Sequence, residues 1–96
     1  VQADRRDATT PRVHELKCWP PFFQAIRDGE KTFEVRKNDR GFQKGDTLRL
    51  REFDPNRQPY LSGAYTGREF PMVVSYVLSG FEGIAEGYVV MGLRDA

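Results

Sequence analysis

Short runs of alternating apolar and polar positions dominate this chain, and each reads as a strand. In HELKCW (residues 14–19), His14, Leu16 and Cys18 point one way and Glu15, Lys17 and Trp19 the other, the period-two signature of a half-buried strand. Pro20 and Pro21 end that pattern and suit the first turn of a helix, where a missing donor costs nothing. PFFQAIRDG follows, with Phe22, Phe23 and Ile26 on one stripe and Gly29 as the stop, a helix of about two turns. KTFEVRK (31–37) alternates again, with Phe33 and Val35 on one face and Thr32, Glu34 and Arg36 on the other. KGD (44–46) is a turn, and TLRLREF (47–53) sends Leu48 and Leu50 in and Arg49 and Arg51 out.

The second half has longer elements. DPNRQPYLSGAYTG (54–67) holds two prolines and two glycines and reads as a long connection. REFPMVVSYVLS (68–79) is apolar on both faces, as in a curled, closed sheet. SGFEGIAEG (79–87) is a glycine-punctuated loop, and YVVMGL (88–93) a buried strand. The order β-α-β-β-β-β predicts a mainly β, α+β fold: a small pseudo-barrel of five to six strands with one short helix over an end. Residues 1–12, nearly free of apolar side chains, read as a flexible arm before a domain spanning 13–96.

Composition narrows the chemistry. Ninety-six residues bound a single domain, and 39% hydrophobic residues place it among globular chains. One cysteine allows no internal disulfide, no apolar run reaches the ~20 residues of a membrane helix, and no signal peptide is read; the expected address is the cytoplasm, and the expected state a monomer. His14 and Cys18 are too few to hold zinc, and phosphate-loop, dinucleotide and serine-nucleophile patterns are missing, so no metal or cofactor is expected. His14 reads as a strand-end histidine bonded to backbone, and Cys18 as a core residue. Between Lys31 and Arg51, seven bases face three acids; Arg40, Lys44, Arg49 and Arg51 are the candidate phosphate contacts in that stretch. Lys31, Glu34 and Arg36, with Lys17 on the preceding strand, are the remaining chemistry-bearing cluster. Strict alternation sets Lys31 and Glu34 on opposite faces, so they meet only if the strand bends or bulges at its start.

GEKTFEVR (29–36) fits G-x-K-x-x-E-x-R and resembles the motif of the ASCH domain, a branch of the PUA-like fold. The likeness runs from residue 14 to 93, through HELKCWPPFFQAIRDGEKTFEVRKNDRGFQKGDTLRLREFDP, YTGREF, VSYVLSG and EGYVVMGL, and points to small bacterial and phage ASCH-like proteins. It implies a PUA-like pseudo-barrel whose cleft, beside the helix, presents Lys31, Glu34 and Arg36 to RNA or to a modified nucleoside. Some ASCH proteins are similar to amidohydrolases that deacylate N4-acetylcytidine; others cleave RNA. In the amidohydrolases the motif lysine works with a threonine three residues on and a glutamate from a distant loop. Here Glu34 stands at the threonine position, Thr32 is offset by two, and Glu82 and Glu86 are the loop carboxylates. The resulting expectation is an amidohydrolase in which Glu34 activates water and Lys31 holds the oxyanion and protonates the departing amine. Arg36 and Lys17 bind substrate, and Trp19 or Tyr76 stacks on the base. The alternatives are a non-catalytic RNA-binding module and a ribonuclease.

Overall fold

A computed structural model describes residues 10–57 and 63–96. Its elements run β1 (Val13–Cys18), α1 (Pro20–Arg27), β2 (Phe33–Lys37), β3 (Thr47–Asp54), β4 (Ala64–Leu78) and β5 (Tyr88–Asp95). The five strands form one curled sheet in the order β1-β3-β4-β5-β2, with β1 parallel to β3 and every other pair antiparallel. Mainly β, with a short helix against it, this is the small α+β pseudo-barrel that the alternation implies. The two edge strands, β1 and β2, are therefore the first two strands in sequence, and the curl brings them face to face.

Alternation places the core correctly on β1 and β3. Leu16 and Cys18 are buried beside Leu48 and Leu50, and Val74, Val89, Met91 and Leu93 complete the interior. Pro20 and Pro21 occupy the first turn of α1 behind Trp19, and Gly29, at φ 77°, turns the chain out of the helix. Only Phe23 and Ile26 of the helix are buried; Phe22 is half exposed. Positions three apart share the sheet-facing stripe, and Phe22, about 100° round the helix from Phe23, falls to its side.

Strand β2 turns its charged face inward. Glu34 is the buried residue, facing the core opposite Met91, while Phe33 and Val35 lie on the outside. Apolar alternation identifies a strand's two faces but does not say which one a curled sheet turns inward when the polar face carries its own ion pairs. The connection after β3 is also shorter than expected: Ala64 and Tyr65 already pair with Asp54 and Phe53, beyond an irregularity between Arg51 and Phe53. Residues 58–62 of that connection lie outside the described residues.

His14 bonds a side chain, not backbone. Its Nε2 lies 2.8 Å from Oδ2 of Asp46, which is buried and also accepts the Arg12 and Gln43 main-chain N–H groups. Asp46 thereby ties the start of β1 to the turn before β3. Of the N-terminal arm, residues 1–9 lie outside the described residues; Arg12 already accepts a bond from Thr47 N through its carbonyl.

Candidate functional site

The sheet's two edges do not close by a backbone ladder. Arginine side chains span the gap instead: Arg36 Nη2 donates to Lys17 O at 2.6 Å, and Arg40 Nη1 donates to Glu15 O at 2.6 Å. At the α1 end of this seam lies a cavity of ≈ 400 Å³, lined by Lys17, Cys18 and Trp19 from β1 and the turn after it, Phe22 from α1, and Lys31, Glu34, Val35 and Arg36 from β2 and its approach.

Glu34 is the centre of its charge. Lys31 Nζ donates to Oε1 at 2.5 Å and Arg36 Nε donates to Oε2 at 2.8 Å. A carboxylate buried to 4% exposure is costly without such partners, and two charge-assisted bonds stabilise it in place. No bulge is needed for the contact. Strand β2 begins only at Phe33; Lys31 is still held by Ala25 O at the end of the helix, and its long side chain reaches over Phe33 O (2.7 Å) to Glu34. Two of its three N–H bonds are thus used within the protein, and the third has no acceptor among the described residues. Trp19 and Phe22 stack at the rim, 6.4 Å apart and 18° from parallel, both about half exposed. Flat apolar rings beside fixed cationic donors suit a planar ligand rich in acceptors.

Cys18 borders the same cavity but is no nucleophile. Burial pushes its thiol up to about 11, with the Glu34 carboxylate adding to the effect, and a thiol protonated at neutral pH is inert. Phe22 and Cys18 are cavity residues that the alternation and the helical stripe assign to the core.

Of the residues expected at the site, Lys17, Trp19, Lys31, Glu34 and Arg36 come together. Tyr76 does not line the cavity; it stands on β4, opposite Gly92, 62% exposed. Nor do the phosphate candidates gather there. Arg40 bridges the seam further along β1, and Lys44 is exposed in the turn before β3. Arg49 and Arg51 lie on the outer face, sharing Glu69 and Glu15 between them. Their hydrogen bonds and proximity hold the Arg49 guanidinium above its ordinary value and the Glu69 carboxyl below its own. Among the described residues no cluster of three or more His, Cys, Asp or Glu is arranged to hold a metal ion, and no helix is long and apolar enough to cross a membrane.

A one-helix β pseudo-barrel with a cationic, aromatic-rimmed cleft at its seam is the class that fold and site define. Residues 13–93 match the family described as a domain of unknown function, DUF3850, and the chain belongs to that family. It is similar to a protein of Escherichia phage P2 described as an uncharacterized 12.9 kDa protein in the GpA 3′ region, with 36% identity over 58 residues. That match covers 60% of this chain and 47% of the phage protein, so the chain spans about half the length of the curated relative it matches.

Proposed function

We propose that the seam cleft binds a nucleobase and that the protein is an ASCH-type, PUA-like amidohydrolase acting on N4-acylated cytidine or a similar modified nucleoside. The observation that carries the reading is the Lys31–Glu34–Arg36 cluster against the cavity, with Trp19 and Phe22 as ring-stacking surfaces at its rim. Glu34 keeps a lone pair on each oxygen beyond those its cations occupy. It takes a proton from water as the water oxygen bonds to the acyl carbon, and the carbonyl electron pair moves onto the oxygen facing the third Lys31 N–H. Collapse re-forms the carbonyl and breaks the carbon–nitrogen bond. The departing N4 takes a proton delivered through Lys31, which recovers it from Glu34, leaving cytidine and a carboxylic acid that gives its own proton to solvent. Arg36, fixed by Glu34 and Lys17 O, orients the carboxylate and offers its remaining N–H groups to substrate.

One observation favours a second reading, recognition without chemistry: both Glu34 oxygens already accept a charged donor, an arrangement that serves positioning as well as catalysis. Incubating the protein with N4-acetylcytidine and following the ultraviolet change to cytidine separates the two. Turnover that disappears in Lys31→Ala and Glu34→Gln is the expected result. Binding of the nucleoside with no turnover at high protein concentration leaves the recognition module.

A further inference from the structure

We infer that the element reading the base is the main chain of Val35, an unpaired donor–acceptor pair on the open edge of β2. The inference rests on the nucleobase reading above and specifies how that site would select its ligand.

Two hydrogen bonds fix the phase of β2. Leu93 N donates to Thr32 O at 2.9 Å and Asn38 N to Gly87 O at 2.8 Å. Main-chain groups in an antiparallel ladder alternate between partner and open side, so residues 32, 34, 36 and 38 turn theirs to β5. Residues 33, 35 and 37 turn theirs to the seam. On β1 the bond from Thr47 N to Arg12 O likewise sends residues 13, 15 and 17 to the seam, which is why Arg40 and Arg36 find the Glu15 and Lys17 carbonyls there.

Most of the seam-facing carbonyls are already satisfied. Phe33 O accepts from Lys31 Nζ, Lys37 O from Asp39 N, and Lys17 O from Arg36. On β2, Val35 is the seam-facing residue whose N–H and C=O both lack a protein partner among the described residues. Val35 lines the cavity, and its main chain faces the seam. Unpaired backbone groups on a sheet edge are templates for a complementary edge. Here the stretch with donor and acceptor both open is one residue, bracketed by the Lys31 contact on Phe33 O and the Arg36 contact on Lys17 O. A peptide strand needs more than that. A planar heterocycle with adjacent acceptor and donor, such as N3 and N4–H of cytosine, needs only that.

Val35→Pro removes the N–H without removing a ladder bond, since proline is tolerated where a strand's N–H faces an open edge; Val35→Ala keeps the whole main-chain pair. Cytidine and N4-acetylcytidine affinities are measured for wild type and both variants, with 3-deazacytidine, which lacks the N3 acceptor, as a second ligand. The expected result is roughly a tenfold loss in Val35→Pro, a similar loss for 3-deazacytidine on wild type, and a clearly smaller loss in Val35→Ala. Should Val35→Pro fail to fold by circular dichroism, the 3-deazacytidine comparison alone decides. Equal binding of cytidine and 3-deazacytidine, with Val35→Pro unimpaired where it folds, overturns the Val35 assignment and leaves the nucleobase reading standing. No binding of either natural nucleoside to wild type overturns both.

Discussion

Two carboxylates in this protein are held in nearly the same way. Glu34 gives one oxygen to Lys31 and the other to Arg36; Glu69 gives one to Arg49 and the other to Arg51. The difference is where they sit. The Glu34 side chain is 6% exposed and borders a cavity, whereas Glu69 is 35% exposed on the outer face of β4. Solvent screens the second cluster, and its charges are close to neutral in their effect on the fold. In the first cluster Glu34 is nearly out of reach of solvent and depends on its two cations, and the donors left over are aimed at a cavity. One carboxylate between two cations thus gives a surface clasp in one place and a candidate reactive site in the other.

The largest expected contrast is in stability. Glu34→Ala leaves two cations facing each other at a largely buried position and should cost about 3 kcal/mol, near the lower end for a broken buried pair because Lys31 and Arg36 retain some access to water. Glu69→Ala should leave the urea midpoint unchanged within error. Comparable losses in the two variants would dissolve the distinction. Next comes activity: Lys31→Ala should reduce N4-acetylcytidine turnover by roughly a hundredfold or more, and Arg49→Ala should leave it intact. A turnover loss in Arg49→Ala would mean that the outer face takes part after all.

Cys18 probes the inner cluster from beside it. Its thiol, ordinarily near 9.0, stands at about 11 in the folded protein. The folded state therefore holds the proton more tightly than the unfolded chain, and the contribution is complete below pH 9. It is lost as pH rises from 9 towards 11, a loss on the order of 2 kcal/mol across that interval. Wild type should lose stability across that window faster than Cys18→Ala, measured as the difference between the two so that lysine and tyrosine titrations cancel. Parallel curves would show the thiol to be less shielded than its place between the two edge strands requires.

How far the sequence foretold this arrangement depends on what each element answers to. Strands β1 and β3 were legible because their apolar faces are the faces the core takes. On β2 alternation separates two faces without saying which turns inward, and Phe33 and Val35 lie outside with Glu34 inside; three charges bonded to one another removed the usual reason for turning that face to water. A signal was available in the spacing, since one acid flanked by Lys31 and Arg36 is a set that satisfies itself. The TLRLREF alternation likewise puts Glu52 on the Leu48 and Leu50 face, and Glu52 is indeed buried, bonded by Thr66 Oγ1 at 2.7 Å. The cleft was not legible in any local pattern, although the motif resemblance implied one beside the helix. It exists because β1 and β2 are the two edges of the sheet, and strand order is set by long-range pairing that no local pattern encodes. The motif residues could be named, but not Phe22 beside them or the open main chain of Val35.

The smallest effect expected is in the outer cluster, and it has a definite sign. Arg49, through its hydrogen bond and its charge, keeps the Glu69 carboxyl below its ordinary value in the folded state. A carboxyl lowered in this way favours folding above the pH where the unfolded chain's carboxyl titrates, and the gain is lost as pH falls through the folded value. Both groups are open to solvent, so the gain is slight and screened by salt. The stability difference between wild type and Glu69→Gln should be a small positive quantity at neutral pH and low salt. It should shrink as salt is added, and vanish in acid once the carboxyl is protonated in both states. A large difference that persists in high salt would place Glu69 in the same category as Glu34, and the contrast between a screened clasp and a buried site would have to be abandoned for this face of the sheet.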